Sequence, residues 1–341
     1  MKNKVTIGIP VFKVEGYIRR TMESVLSQTY DNIEFLVIDD ASDDKSLDIL
    51  YSIKETHPRG KDIRIISHEH NLGVSETRNQ IIDEARGDYL YFVDSDDVIE
   101  KDTISLLMTQ IEDNNLDIVF GSYERIDLSG ERTLFQYPKM FFDNADSFAD
   151  YAYQRYGGFQ ASACNYLVKL SLIREKKLRF FNADFWEDMA FTFNLITFAE
   201  RIVLLPNITY TYLCRENSLS NSWHNDIIEK DKIVQYFGAV NLLKEDAHIY
   251  KTKSYYPKRC YIALMSDFYI VCNVIKKREY IVPSFKDEEL HRFMMHPAPL
   301  EEIMRFRHRR ISNLFLWALG ELPPSFCMFW IKLIAKCKGL L

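Results

Sequence analysis

The first 120 residues alternate between two hydrophobic patterns. Short apolar runs rich in β-branched or aromatic residues predict strands at Val5–Val11, Ile33–Ile38, Ile63–Ser67, Tyr89–Val93 and Asp117–Gly121. Between these runs, apolar positions recur at the three- and four-residue spacing of amphipathic helices. Each strand and helix together take about thirty residues, the size of a βαβ element. We therefore predict an α/β fold with a central, mostly parallel sheet and helices on both faces.

The pattern changes further along the chain. It is mixed and irregular from about residue 122 to residue 225, and from residue 226 it becomes helical, with many aromatic and basic positions. The length of 341 residues also exceeds the roughly 250–300 residues at which single cores stop growing. We therefore predict an α/β domain over residues 1–225 and a helical, basic C-terminal extension over residues 226–341.

Charge is divided unevenly between the two ends of the chain. The formal net charge is −6, but residues 251–341 hold 16 Lys and Arg against 8 Asp and Glu. The acidic body argues against a nucleic-acid partner. The basic end contains apolar and aromatic runs around Trp317 and Trp330, a pattern that suits the surface of an anionic membrane. Packing of these helices on the α/β domain, or on a second copy in a homo-oligomer, is the alternative.

Cysteine usage and the N-terminus bear on the cellular compartment. The six cysteines are scattered without a CxxC pair, which indicates free thiols in a reducing compartment. The apolar run after Met1 is too short and too rich in β-branched residues for a signal peptide, and no apolar stretch of about 18 residues predicts a membrane span. We expect a cytoplasmic protein, with a peripheral position on the inner face of the cell membrane as a further expectation.

The predicted topology indicates where a ligand binds. In open α/β sheets, ligands lie beyond the carboxyl ends of the strands. The loops expected there are Pro10–Gly16, Asp39–Asp44, His68–Gly73 and Asp94–Asp97, and three of the four are acidic. Neither a GxGxxG nor a GxxxxGK[ST] motif is present, which argues against a dinucleotide fold and a P-loop.

The strongest chemical signal is the run Asp94-Ser95-Asp96-Asp97 after a buried strand. Clustered carboxylates repel one another unless a cation neutralises them, and oxygen ligands suit Mg²⁺ or Mn²⁺. The alternative is an acidic turn that caps the next helix.

Two weaker signals lie nearby, one on the loop after the second predicted strand and one in the helix after His68–Gly73. Asp39 and Asp40 could accept hydrogen bonds from a nucleobase or ribose, or cap a helix together with Ser42. Arg78 could hold a diphosphate or a nucleobase, or form an ordinary surface ion pair.

The remaining signals come later in the chain. Glu187 and Asp188 open an amphipathic segment, where they could supply a general base or merely favour the N-terminus of a helix. Arg215 and Ser218 could cover phosphates, and His224 is either a metal ligand or a surface histidine.

Taken together, these residues resemble the inverting glycosyltransferases of family 2, which have the GT-A fold. The resemblance covers roughly residues 4–225 and rests on the order of several motifs: Ile7–Phe12, Ser24–Tyr30, Val37–Asp43, Asn71–Ser75 with Arg78-Asn79, Gly87–Tyr89 leading to Asp94–Asp97, and Glu187-Asp188. The chain departs from the family pattern at Asn165-Tyr166-Leu167, where Asn-Lys-Leu is frequent.

The resemblance implies a role for each matched position. Donor-binding residues would be Pro10, Val11, Phe12, Glu15, Asp39, Asp40, Arg78, Asp94, Ser95, Arg215 and Ser218. Asp96 would hold the divalent cation, Mn²⁺ or Mg²⁺, with Asp94 and His224 as further ligands. Asp188 would be the catalytic base, with Glu187 beside it.

The implied reaction moves a sugar from a nucleoside-diphosphate sugar, with UDP as the expected nucleotide, to a hydroxyl of a glycan or lipid-linked acceptor in bacterial surface-polysaccharide synthesis. Two alternatives stay open. Asp94–Val98 also fits the DxDx[TV] string of haloacid-dehalogenase-like phosphohydrolases, although three strand-helix units precede it here. A non-catalytic protein that binds sugar nucleotides is the other.

Overall fold

The computed structural model describes residues 2–155, 159, 161–215 and 227–341. The chain forms two compact units. The first contains Met1–Phe148, Ala161–Phe180 and Asn194–Asn217, and the second contains Ala149–Gln160, Phe181–Phe193 and Ser218–Leu341.

The first unit is built on one large sheet. In chain order its strands are β1 Val5–Val11, β2 Ile33–Asp39, β3 Ile63–Ser67, β4 Tyr89–Phe92, β5 Val98–Ile99, β6 Ile118–Ile126, β7 Arg132–Phe135, β8 Met140–Phe142, β9 Tyr166–Lys169 and β10 Ile202–Leu213. They are ordered β3-β2-β1-β4-β9-β6-β10-β5, with β7 beside β6 and β8 beside β10. All five strand segments predicted from the sequence are present.

The parallel half of the sheet is β3-β2-β1-β4, and it confirms the predicted βαβ arrangement. Every residue of β1 and β2 is buried, as expected for strands covered on both faces. Val11 pairs with Asp39, and Asp39 pairs with Ser67, so three strands end level with one another. Their carboxyl ends therefore form one edge, from which the loops leave.

The second half of the sheet is mixed. Strand β9 runs antiparallel to both β4 and β6, whereas β6 and β10 are parallel. The predicted α/β class is thus confirmed, with antiparallel strands joined to the parallel half. The periodicity of the irregular stretch after residue 122 could not reveal this, since pairing across the sheet is set by distant partners.

The helices up to residue 195 are α1 Ile18–Leu26, α2 Ser46–Thr56, α3 Val74–Glu84, α4 Thr103–Asn114, α5 Ala145–Gln154, α6 Leu170–Glu175 and α7 Glu187–Leu195. Helix α1 buries Ile18, Met22, Val25 and Leu26, the apolar face that its spacing predicts. Ser42 does not cap α2, which begins at Ser46. The Ser42 hydroxyl instead accepts a hydrogen bond of 3.0 Å from the backbone N–H of Lys13.

The second unit is mainly helical. Its C-terminal part contains α8 Lys230–Glu245, α9 Tyr256–Lys276, α10 Asp287–Phe293, α11 Leu300–Met304, α12 Arg310–Gly320 and α13 Pro324–Cys337, and strands β11 Ile228–Glu229 and β12 Ile281–Val282. Arg259 is fully buried in this unit and donates to Tyr153 Oη at 2.6 Å and to the backbone oxygen of Leu243 at 3.1 Å. Within the described residues, none of the helices has the length and hydrophobicity needed to cross a membrane.

Candidate active site

The loop after β1 is tied to the loop after β2. Val11 is buried at the strand end, and the next residue, Phe12, exposes its ring. The backbone N–H of Glu15 donates to Asp44 at 3.0 Å, and the Glu15 carboxylate accepts from the backbone N–H of Lys45 at 2.9 Å. These bonds hold the backbone of the loop after β1 against the loop after β2.

Both oxygens of the Asp40 carboxylate form hydrogen bonds. One of its oxygens lies 2.7 Å from His68 Nδ1 and accepts from the backbone N–H of Leu72 at 2.8 Å. The other accepts from the Asn71 amide at 2.9 Å and from the backbone N–H of Gly73 at 2.8 Å. The side chain is buried, and it clamps the 68–73 loop to the end of β2.

Asp39 differs from its neighbour. Its Oδ2 accepts from the backbone N–H of Ser42 at 3.3 Å, but its buried Oδ1 has no hydrogen-bond partner among the described residues. An unpaired buried carboxylate oxygen costs free energy. Of the two aspartates, Asp39 therefore has the unused acceptor.

The carboxylate run after β4 alternates in exposure. Asp94 and Asp96 are half-buried, whereas Ser95 and Asp97 are buried. The backbone oxygen of Ser95 accepts a hydrogen bond of 2.9 Å from Thr21, which belongs to α1. The side chains of Asp94 and Asp96 are therefore the accessible ones of this run, whereas Ser95 and Asp97 pack into the protein.

Both half-buried carboxylates face an arginine. Arg78, a buried residue of α3, donates to Asp94 Oδ1 at 2.9 Å, and its guanidinium lies 5.4 Å from the centre of the Phe180 ring. Arg215 Nε donates to Asp96 Oδ2, and its guanidinium lies 5.4 Å from the centre of the Tyr17 ring. Helix α3 and the end of β10 thus bring two cations to the carboxylates.

Burial and mutual repulsion shift the pKa values of these acids. Burial, followed by the charge of Asp94, raises the pKa of Asp96, and Arg215 opposes the shift. Burial and the charges of Asp96 and Asp94 raise the pKa of Asp97 well above its usual range. Such a cluster favours the binding of a cation, because the positive charge offsets the repulsion between the carboxylates.

Tyr210 holds the turn in place, and sequence reasoning missed it. Its hydroxyl donates to Asp97 Oδ2 at 2.6 Å and accepts from the backbone N–H of Asp94 at 3.2 Å. The second oxygen of Asp97 accepts from the backbone N–H of Leu213 at 2.8 Å. No local pattern signals this role, because Tyr210 reads as an ordinary strand residue more than 100 positions away.

Glu187 and Asp188 belong to the second unit. They form the first turn of α7, where acidic side chains favour the positive end of the helix dipole. Glu187 is buried and Asp188 is half-buried. Asp188 Oδ1 accepts a hydrogen bond of 2.6 Å from the backbone N–H of Met189.

Three further residues were predicted to bind the donor or a metal ion: Pro10, Ser218 and His224. Pro10 lies within β1, paired with Ile38 of β2. Ser218 and His224 lie outside the described residues. Among residues that the structure does describe, no group of three or more His, Cys, Asp or Glu side chains is placed to hold a metal ion.

Comparison with solved structures identifies the fold. Residues 1–349 of TarS from S. aureus, in complex with UDP-GlcNAc, superpose with a TM-score of 0.67 at 18% identity, covering 93% of this chain and 90% of that one. At this identity the likeness establishes the architecture alone. The fold is therefore the GT-A fold of nucleotide-sugar transferases, with helices added at the C-terminus.

Comparison of sequences identifies the family. The sequence profile of glycosyl transferase family 2 matches residues 6–170. The chain therefore contains a family 2 glycosyltransferase domain, as the motifs predicted.

Individual relatives agree with this assignment. Glycosyltransferase GlyA of Streptococcus pneumoniae serotype 4 is 33% identical over 65% of this chain, which spans 32% of that relative. GlyG of the same organism is 28% identical, covering 67% of this chain and 78% of the relative. The poly(ribitol-phosphate) beta-glucosyltransferase of Bacillus spizizenii is 30% identical, covering 63% and 33% respectively. The chain thus spans about a third of the length of two of these relatives.

Proposed function

We propose that this chain transfers a sugar from a UDP-sugar to a hydroxyl of a bacterial cell-surface glycan or its lipid-linked precursor, with inversion at the anomeric carbon. The observation that carries the proposal is the pairing of Asp94 with Arg78 and of Asp96 with Arg215 at the carboxyl edge of the parallel strands. Alternating acids and arginines suit a diphosphate, which needs positive charge, and a cation, which needs carboxylates.

The donor would lie across the ends of β1, β2 and β4. The backbone of Pro10 and Val11 would wrap the nucleotide, and the exposed Phe12 ring is available to contact the base. Asp39 offers an unused acceptor for the base. Glu15 and Ser95 lie nearby and would mainly fix the position of the loops that bind the donor, through hydrogen bonds to Lys45 and Thr21. Ser218, with Arg215, would close over the diphosphate.

A divalent cation fits the donor set. In the described part of the chain, one oxygen of Asp94 and one of Asp96 are hydrogen-bonded to an arginine, and each carboxylate has a second oxygen. Carboxylate oxygens are the ligands that Mg²⁺ and Mn²⁺ prefer. Asp94 and Asp96 would hold the ion, with His224 as a further ligand, and the ion would neutralise charge on the leaving diphosphate.

The chain's own residues carry the other steps. The Asp188 carboxylate would take the proton of the acceptor hydroxyl as that oxygen bonds to the anomeric carbon. The acceptor oxygen would attack the face of this carbon opposite the diphosphate, and the bond to the diphosphate would break as the new bond forms. One such displacement inverts the configuration. Glu187 would position Asp188 at the start of α7. Arg78 and Arg215 would offset charge on the diphosphate.

The relatives support the choice of substrates, since one neighbour was solved with UDP-GlcNAc and another relative acts on poly(ribitol phosphate). We assign donor binding and catalysis to residues 1–225 and treat residues 226–341 as a helical extension. A peripheral position on the inner face of the cell membrane is part of the proposal, because a lipid-linked acceptor would be reached there. Assembly into a homo-oligomer stays a prediction.

The test is a panel of nucleotide sugars measured by thermal shift with Mn²⁺, followed by sugar transfer to ribitol-phosphate and lipid-linked acceptors. We expect a UDP-sugar to raise the melting temperature of the wild type and to have no such effect on Asp96→Asn. Asp31→Asn removes the same charge from an exposed side chain and serves as the matched control.

Each alternative function has its own outcome. Release of phosphate from simple phosphomonoesters, without any response to nucleotide sugars, would favour a phosphohydrolase. Binding of a UDP-sugar without transfer or hydrolysis under any acceptor would favour a non-catalytic sugar-nucleotide-binding protein. Either result would overturn the proposal.

A further inference from the structure

Helix α13 has two opposite apolar faces. Cys327, Met328, Ile331 and Ala335 are buried in the second unit. On the other side, Phe326, Phe329, Trp330 and Leu333 are between 43% and 60% exposed. Their spacing of three, one and three residues places these four side chains on one face of the helix. We call this face the outer stripe of α13.

Helix α12 repeats the arrangement. Leu316 and Leu319 are buried, whereas Ile311 is 82% exposed and Phe315, one turn further along the same side of the helix, is 54% exposed. We call these two exposed side chains the outer stripe of α12. Both helices pack on α9 within the second unit. Single exposed apolar side chains are ordinary, but two consecutive helices that each expose a stripe require a partner surface.

Basic side chains surround these stripes. Arg305, Arg307, Arg309 and Arg310 are exposed and line a surface depression of about 520 Å³ at the start of α12, together with Phe306, Ile311 and Ser312. Within the described residues, no carboxylate lies within ion-pair distance of these arginines. We call this feature the arginine depression.

Lysines flank the outer stripe in the same way. Lys332 and Lys336 are exposed and one helical turn apart on one side of the stripe. From residue 303 to the C-terminus there are seven Lys and Arg residues, and Glu321 is the sole acidic one. The partner surface must therefore be both apolar and anionic.

We propose that the outer stripes of α12 and α13, with the arginine depression, dock onto the surface of an anionic phospholipid bilayer. Phe, Trp and Leu side chains enter the boundary between headgroups and acyl chains, while arginine and lysine bind phosphate groups at the same depth. A second copy of the chain fits less well, because it would bring the same positive charges to the interface.

The test is co-sedimentation of the full chain with vesicles of phosphatidylglycerol and phosphatidylcholine, without nucleotide. We expect binding to vesicles that contain phosphatidylglycerol, little binding to pure phosphatidylcholine, and loss of binding as salt is raised. Because no donor is present, a protein that fails to transfer sugar can still pass this test.

Two pairs of variants separate the apolar contribution from the ionic one. Phe329→Ser with Leu333→Ser, and Arg307→Glu with Arg310→Glu, should each weaken vesicle partitioning about tenfold or more. Leu128→Ser with Leu134→Ser, and Lys61→Glu with Lys139→Glu, make the same changes at exposed positions of the first unit and should bind as the wild type does. All the substituted side chains are exposed, so folding should persist, as unchanged melting temperatures would verify.

Equal binding by the wild type and by both tail variants would overturn the proposal, as would equal binding to anionic and neutral vesicles. A dimer in light scattering that the Phe329→Ser, Leu333→Ser variant converts to a monomer, without vesicle binding, would assign the stripe to a second copy instead.

Discussion

Tyr210 and Asp97 are joined by a buried hydrogen bond of 2.6 Å from the tyrosine hydroxyl to the carboxylate. The same hydroxyl accepts the backbone N–H of Asp94, so one side chain of β10 fixes both ends of the carboxylate turn. The turn that carries the accessible acids, Asp94 and Asp96, is thus held by a residue of a strand distant in sequence. Tyr210 is in this sense a positioning residue.

Tyr210→Phe should loosen the turn. It removes the hydroxyl from Asp97, whose pKa is already raised by burial and by Asp96 and Asp94. We expect the free energy of unfolding to fall by about 1–3 kcal/mol, the usual cost of an unsatisfied buried partner. UDP-sugar affinity measured by calorimetry should fall more than kcat does. Tyr123→Phe removes a hydroxyl from neighbouring β6, where the ring stacks on Phe135, and should change neither quantity. Equal behaviour of the two variants would refute the positioning role.

Metal removal tests the roles of Asp94 and Asp96. EDTA should abolish sugar transfer, and Mn²⁺ or Mg²⁺ should restore it, because two acids beside a diphosphate need a cation. Asp96→Asn should require higher Mn²⁺ for half-maximal activity, as titrated in a transfer assay. Full activity of the metal-free enzyme would show that Arg78 and Arg215 alone neutralise the diphosphate.

Local sequence predicted the strands and loops that form this site, but it did not predict contacts between residues distant in sequence. Short apolar runs rich in β-branched or aromatic residues predicted β1, β2 and β4, and the topology rule then placed Asp39, Asp94 and their loops at one edge. Local sequence could not distinguish Asp39 from Asp40, because the difference lies in donors from the 68–73 loop. Neither could it find Tyr210, since a strand residue shows no sign of its distant partner.

Asp40→Asn distinguishes a loop clamp from a contact to the base. Asp40 accepts from His68, Asn71, Leu72 and Gly73, and an amide would place N–H groups against two of those donors. We expect thermal or denaturant unfolding to show a loss of about 2–4 kcal/mol from broken buried hydrogen bonds. Asp43→Asn, at an exposed neighbour, is the control. Unchanged stability with altered preference among nucleotides would instead assign Asp40 to the base.

Asp188→Asn tests the proposed base. The amide has nearly the same shape but cannot take a proton at neutral pH, so donor binding should be kept while kcat falls about 10²–10⁴-fold. Single-turnover transfer assays with saturating donor measure the chemical step directly. Asp184→Asn, four residues earlier in the same unit, is a suitable control. Near-normal turnover of Asp188→Asn would remove this residue from the role.

The buried pair of Lys244 and Asp267 should make stability depend on pH. Burial raises the pKa of Asp267 to about 6, although Lys244 opposes the shift. Because the folded protein then binds this proton more tightly than the unfolded chain does, the contribution of Asp267 to stability is greatest below pH 4. It is lost as the pH rises to about 6.

Replacing both partners removes this dependence. Relative to Asp267→Asn with Lys244→Met, the wild type should lose about 2–3 kcal/mol between pH 4 and pH 6, since two pKa units separate the folded and unfolded states. Denaturant unfolding of both proteins across this range measures the difference. Parallel stability curves for the two proteins would show that the Asp267 carboxylate is ionised throughout, with Lys244 fully compensating its burial.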